Sequence, residues 1–177
     1  MPLNEKRLTA SAVEGGLGYD IPLLAYSAAL MVPYGGLRDV NLQAGETVII
    51  APATGGFGGA AVLVALAMGA RVIAMDRKLE SLAKLKKISN RVETVQITGN
   101  LEGEIAALAR YGPVDAYLDI SPPKVTNSTH VKAGIMSLRH RDRVSLMGGF
   151  IGDVAIPHRV VMLKDIELMV SLEILVL

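Results

Sequence analysis

The sequence predicts an α/β fold, a doubly wound six-stranded parallel sheet in the strand order 3-2-1-4-5-6 with helices on both faces. Three observations predict it. Short apolar, β-branched runs recur along the chain, and stretches with a helical apolar period lie between them. Four of the connections are long enough to carry the chain back to the same end of a sheet, as parallel pairing requires. With 177 residues, 51% of them apolar, the chain is long enough to bury a sizeable core in one domain.

The elements follow in order. Residues 1–45 form a lead-in with no strand. Within it, Asp20 stands ready to cap a helix that opens at Ile21 and Pro22 and runs to about Met31, where PYGG, Pro33 to Gly36, breaks it. The sheet domain occupies residues 46–177, and its strands are expected over 47–51, 71–75, 93–97, 116–120, 143–147 and 166–176. Residues 57–68 are almost wholly apolar, as befits a helix buried against the sheet. Leu79, Leu82 and Leu85 share one helical face, and Glu80 and Lys84 pair along another. Leu101, Ile105 and Leu108 repeat the period, as do Val131, Ile135 and Leu138. In the last strand every even position from Ile166 to Val176 is apolar, with Glu167, Ser171 and Glu173 between them, which predicts one wet face.

Composition narrows the function. The chain carries 18 Lys plus Arg against 17 Asp plus Glu, so no long-range field favours nucleic acid or an acidic membrane, and the expected partner is a small molecule. With no cysteine there is no disulfide, no thiolate zinc site and no thiol nucleophile. The opening MPLNEKRLTASAVEGG lacks the apolar centre of a signal peptide, and residues 60–70, the longest uncharged apolar stretch, are too few to span a bilayer. A cytoplasmic protein is expected.

The most informative stretch is APATGGFGGA, between the first strand and the first buried helix. A turn into a helix N-terminus points free amides at one spot, where the helix dipole adds positive potential. Gly55, Gly56 and Gly58 leave the approach bare, and Gly59 with Ala60 and Ala61 lets the helix lie close to the sheet. In the register of the dinucleotide fingerprint, Ala53 holds the first glycine position and Gly55 and Gly58 the second and third, giving AxGxxG. Asp76 ends the second strand 23 residues after Ala53, near the spacing of about 20 at which a carboxylate meets the ribose of NAD. Strand, loop, helix, strand and acid in this order predict a Rossmann-type site for NAD or NADP. Asp76 favours NAD, toward which the reading leans. Arg77 beside it suits the 2′-phosphate of NADP, or simply opens the next helix as a solvated turn.

The run GETVIIAPATGGFGGAAVLVALAMGARVIAMDR resembles the nucleotide-binding domain of the medium-chain dehydrogenase/reductases, the zinc-type alcohol dehydrogenase and quinone reductase superfamily. VDAYLDISPP, RVSLMGG and LKDIELMVS are similar to its fourth, fifth and sixth strands, and PLNEKRL and VPYGGLRDVNLQAGE to the junction that leads into it. The likeness covers residues 24–171. It implies a nicotinamide-dependent oxidoreductase that transfers hydride to or from a small alcohol, carbonyl or enone. It places the Gly56, Phe57 and Gly58 amides on the pyrophosphate, beside Thr54 and Gly55, and Asp76 on the adenosine ribose. Ser121 with Pro122, and Gly148 with Gly149, would flank the nicotinamide. It also implies a separate catalytic domain that this sequence does not contain, so the chain reads as truncated and inactive alone, with its catalytic residues unknown. Members commonly dimerise through the sixth strand, and a homodimer is expected.

No metal site is expected. His130, His140 and His158 fall on different elements without ligand spacing and read as surface or cap histidines. RHRDR, Arg139 to Arg143, reads as a solvated helix end and turn, or a small anion patch. A short-chain dehydrogenase fits TGxxxGxG loosely at Thr54 to Ala61, but no tyrosine has the lysine four residues on that would lower its pKa. An S-adenosylmethionine-dependent methyltransferase is the other enzyme class. There SPPK would hold an amino group, with Lys124 where a stacking aromatic belongs. A non-catalytic dinucleotide-binding or subunit-interaction module is the third reading.

Overall fold

A computed structural model describes residues 17–125 and 128–171. The chain order is α1 (Ile21–Asp39), β1 (Thr47–Ala51), α2 (Gly56–Ala67), β2 (Arg71–Asp76), α3 (Leu79–Lys86), β3 (Val92–Gln96), α4 (Leu101–Ala109), β4 (Val114–Asp119), α5 (His130–Ser137), β5 (Leu138–Leu146), α6 (His158–Lys164) and β6 (Glu167–Val170). The six strands form one sheet in the order β3-β2-β1-β4-β5-β6, and every neighbouring pair is parallel. The predicted class and strand order both hold.

Alternation along the strands feeds two cores. Val48, Ile50, Val72, Ala74, Ala116 and Leu118 face one way, against Leu37 of α1, Ala61 and Ala65 of α2 and Leu82 of α3. Ile49, Ile73, Met75 and Tyr117 face the other, against Leu108 of α4 and Val131 and Ile135 of α5, with Val160 and Val161 of α6 at the margin. Burial of each such Val, Leu or Ile contributes about 1.5–3 kcal/mol, and two covered faces explain the unbroken apolar runs Val48 to Ala51 in β1, Val72 to Met75 in β2 and Ala116 to Leu118 in β4.

Several expectations need correction. The first helix does not stop near Met31; it runs through Pro33 to Asp39. Pro33 forfeits only one backbone bond, and the glycines that follow serve packing. A Cβ on Gly36 would collide with the Met147 sulfur and lie 3.0 Å from Leu118 Cδ1 and from Ser145 Oγ, so only glycine lets α1 touch the sheet here. Asp20 occupies the N-cap position, yet its side chain makes no capping bond. RHRDR is no helix end. Arg139 to Arg143 lie within β5, which starts at Leu138, and Arg141 takes a left-handed φ of 65° where the β4–β5 register shifts. Nor does it form an anion patch: Arg139 pairs with Asp115 and Asp142, Arg141 with Asp165 and Arg143 with Glu46. Between β5 and β6 the chain adds the α6 helix, for which the sequence pattern gives no expectation. The last strand is described only to Val170, with Leu168 and Met169 packing on opposite faces and Val170 79% exposed, so the expected single wet face is absent. Positions 172–176 of that expectation lie outside the described residues.

Candidate functional site

The carboxyl ends of the strands open into a cleft of about 600 Å³, centred where the chain leaves the paired strands β1 and β4 toward opposite faces of the sheet. Its floor is the glycine loop. Gly55 is the N-cap of α2 in an extended conformation, and the first helical bond runs from the Gly59 amide to the Gly55 carbonyl, 2.7 Å. The Gly56, Phe57 and Gly58 amides ahead of it therefore have no acceptor inside the helix. Added Cβ atoms on Gly55 or Gly56 would meet open space, whereas one on Gly58 would strike the Pro52 carbonyl and the Ala53 backbone. Gly55 and Gly56 keep the approach bare, while Gly58 lets the helix sit on the strand end. Gly59, given the packing role from sequence, is barely in contact there.

Asp76 closes one side. Its carboxylate accepts the amides of Thr54 (3.0 Å, on Oδ2), Arg77 (2.7 Å) and Lys78 (3.3 Å, both on Oδ1), fastening the glycine loop to the end of β2. An ionised carboxylate has about four acceptor positions, so one remains for a ligand hydroxyl. Arg77 and Lys78 line the cleft beside it.

The other wall rises from β4 and α5. Ser121 Oγ donates to Asp119 Oδ1 (2.7 Å) and lies 2.8 Å from His130 Nε2, which is itself 3.1 Å from Asp119 Oδ1. His130 Nδ1 lies 2.5 Å from Ser128 Oγ, and the imidazole stacks on Phe150 with ring centroids 6.4 Å apart. Glu104 of α4, also buried, accepts the Thr98 and Gly99 amides on Oε1 and the Thr129 hydroxyl on Oε2, which anchors the start of α5. Burial, and after it the Asp119 carboxylate, pushes the Tyr117 phenol well above its usual range, so this side chain stays neutral.

Of the residues expected at the site, Gly55, Gly56, Phe57, Gly58, Asp76, Arg77 and Ser121 line one cleft. Thr54 stands behind it, its amide spent on Asp76. Gly148 lies just outside the lining, which Gly149 supplies, and is wedged where a Cβ would collide with Asp119 Oδ2. His130, expected at the surface or as a cap, is fully buried and lines the cleft. The available signal was Asp119 and Ser121 at the end of a strand, with a histidine opening the next helix.

This arrangement, with a bare helix N-terminus between an acid at β2 and polar groups at β4, suits an elongated ligand that is anionic in its middle. Residues 56–174 match the family model described as zinc-binding dehydrogenase. The chain belongs to the zinc-binding dehydrogenase family. Acryloyl-coenzyme A reductase of Metallosphaera sedula is 44% identical over 70 residues, covering 36% of this chain and 21% of the reductase. The quinone oxidoreductase of Thermus thermophilus, whose structure was also determined with NADPH, superposes with a TM-score of 0.64 at 23% identity over 82% of this chain and 43% of its own. The nucleotide-binding subdomain of the enoylreductase domain of PpsC from Mycobacterium tuberculosis gives 0.64 at 24%, over 82% of this chain and 80% of that one. This zinc-binding dehydrogenase chain thus spans less than half of the quinone oxidoreductase it resembles. Among its described residues no three His, Asp or Glu side chains converge as a cation site, and the sequence has no cysteine, so these residues do not fit the zinc of the family's description.

Proposed function

We propose that the chain binds a nicotinamide dinucleotide along the carboxyl edge of its sheet and is the nucleotide-binding part of an oxidoreductase. The carrying observation is the open approach at Gly55 and Gly56 to the unpaired amides of α2, set between Asp76 and Ser121. In this reading the Gly56, Phe57 and Gly58 amides hold the pyrophosphate, with Thr54 and Gly55 shaping the turn. Asp76 takes a hydroxyl of the adenosine ribose, and Ser121, Gly148 and Gly149 border the nicotinamide. The nicotinamide, when bound, supplies or accepts a hydride; the protein binds it, orients it and excludes water from one of its faces. A small alcohol, carbonyl or enone is the substrate class, and the match to acryloyl-coenzyme A reductase favours an activated alkene.

The Asp76 carboxylate next to the ribose repels a 2′-phosphate and supports NAD, against which Arg77 and Lys78 weigh. The lead-in through residue 45, the sheet domain of residues 46–177, a cytoplasmic location and a homodimer formed through β6 complete the proposal. No described helix is long and apolar enough to cross a membrane.

Titration of the chain with NADH and NADPH, followed by nicotinamide fluorescence, tests the reading. Saturable binding of NADH that tightens relative to NADPH supports it. Failure to bind either, with S-adenosylmethionine bound instead, replaces it by the methyltransferase. No turnover of alcohols, aldehydes or enones is expected from the chain alone, because no group among the described residues is positioned beside the nicotinamide to protonate the alkoxide or enolate left by hydride addition, or to take the hydroxyl proton of an alcohol.

A further inference from the structure

The β4 wall of the cleft holds a charged pair for which dinucleotide binding alone gives no reason. Asp119 and His130 are completely buried, and Asp119 Oδ2 has no hydrogen bond of ordinary geometry, although the buried Tyr117 phenol stands near enough to act on the carboxylate. A carboxylate withdrawn from water with one oxygen so weakly satisfied is costly to the fold, and the His130 ring beside it is the group that can offset its charge.

The hydrogen-bond inventory identifies the nitrogen that is open to a second proton. The Ser121 hydroxyl is spent on Asp119, so Nε2 faces two acceptors, Ser121 Oγ and Asp119 Oδ1, and carries the hydrogen. Nδ1 faces only Ser128 Oγ, a hydroxyl that donates to neutral imidazole and accepts from imidazolium. Ser128 and His130 both line the cleft. The second proton is therefore exchanged on the ligand side of the ring.

We propose that the Asp119–His130–Ser128 relay is a proton-binding site through which this domain distinguishes the oxidised from the reduced form of its dinucleotide. This rests on the binding reading above, which puts the nicotinamide beside Ser121, at the end of the cleft away from Asp76. An oxidised nicotinamide ring carries a positive charge and a reduced one does not. With His130 neutral, the pair presents the net negative charge of Asp119 and favours the oxidised form. With His130 protonated that charge is cancelled and the preference shifts toward the reduced form.

The other groups around His130 leave this charge change as the variable one. On β4, Tyr117 stays neutral because its phenol is pushed far up. On α4, the Glu104 carboxylate is occupied by Thr98, Gly99 and Thr129. On α6, Lys164 is held at the far end of α5 by the Met136 and Leu138 carbonyls, and His158 and Arg159 are exposed. On α5 itself Lys132 is exposed, as is Lys124 in the turn before it. β1 has no charged side chain, and those of β5 lie between Arg139 and Arg143, at the opposite end of the sheet.

Dissociation constants of the oxidised and reduced dinucleotides, measured on the intact chain from about pH 6 to about pH 8.5, decide the matter. Their ratio cancels every group that meets both forms alike. The oxidised form should weaken relative to the reduced form by roughly three- to tenfold as the pH falls, the scale of one unit charge screened across a cleft. His130→Gln, which keeps a donor and an acceptor, should flatten the ratio. Should that variant not fold, imidazole NMR on the wild-type chain answers instead: the oxidised form should lower the His130 midpoint and the reduced form should not, with exposed His140 and His158 as internal references. A ratio independent of pH, or a His130 midpoint indifferent to the cofactor's oxidation state, overturns the proposal and leaves dinucleotide binding standing. Absence of binding by both forms overturns the binding reading and this proposal with it.

Discussion

At the scale of single residues, the glycines of one loop do different work, and substitution separates their roles. A methyl at Gly58 has nowhere to go between the Pro52 carbonyl and Ala53, so Gly58→Ala must push α2 off β1, at a cost of about 1–3 kcal/mol. A methyl at Gly56 meets nothing in the protein but stands where an anion would approach the helix. Gly56→Ala should keep the unfolding midpoint near wild type and weaken dinucleotide binding by about tenfold, whereas Gly58→Ala should lower the midpoint; thermal unfolding beside a binding titration checks both. Tyr117 offers a third test. Its hydroxyl is buried with no hydrogen bond of ordinary geometry and stands beside the Asp119 carboxylate, so Tyr117→Phe should change stability at neutral pH by no more than about 1 kcal/mol. The native phenol is held above its unfolded value near 10, so the stability it contributes is complete below that pH and is lost as pH rises through the folded value. Alkaline denaturation should accordingly begin later in the phenylalanine variant; an identical alkaline limb would show that another group governs it.

At the scale of elements, legibility followed locality. The glycine loop and Asp76 were readable because a strand, a turn, a helix and a second strand are contiguous, and parallel pairing of β1 with β2 then brings the acid to the loop. The buried relay was not readable, since Asp119, Ser121, Ser128 and His130 come from a strand end, a turn and a helix start that meet only once α5 docks. α1 was misread for a related reason: Pro33 and Gly36 are helix breakers by propensity, but burial of Pro33 and Leu37 and the contact of Gly36 with the sheet override it. In β5, Arg139 to Arg143 look like a solvated turn until Asp115, Asp142, Asp165 and Glu46 are seen to pair with them. Docking of α5 itself leans on Glu104, which joins the β3–α4 turn to Thr129 through bonds of 2.6–2.8 Å. Glu104→Ala should therefore destabilise the chain by about 2–4 kcal/mol in chemical denaturation and broaden the His130 resonance, while Glu104→Gln, which keeps an acceptor for part of the set, should cost less. Equal losses for the two would mean that the carboxylate only fills space.

At the scale of the whole molecule, the sheet is covered on both faces but not at its ends. β6 is the last strand, paired with β5 on one side and with no described strand on the other, and Val170 is 79% exposed there. The neighbouring α6 leaves Met162 and Leu163 each 62% exposed. An unpaired strand edge beside exposed apolar side chains is a template for another strand, and a second copy of the same edge satisfies it by two-fold symmetry. On this basis the chain should run as a dimer in light scattering, dissociating as it is diluted. A lysine at the edge puts like charges face to face across the symmetry axis, so Val170→Lys should yield monomer with little change in the unfolding midpoint at low protein concentration. The cleft lies at the carboxyl ends of the strands and not on the outer side of β6, so dinucleotide affinity should be the same in monomer and dimer. A wild-type chain that stays monomeric at about 100 μM, where even a weak association of about 10 μM would be populated, rules out β6 as a self-pairing edge.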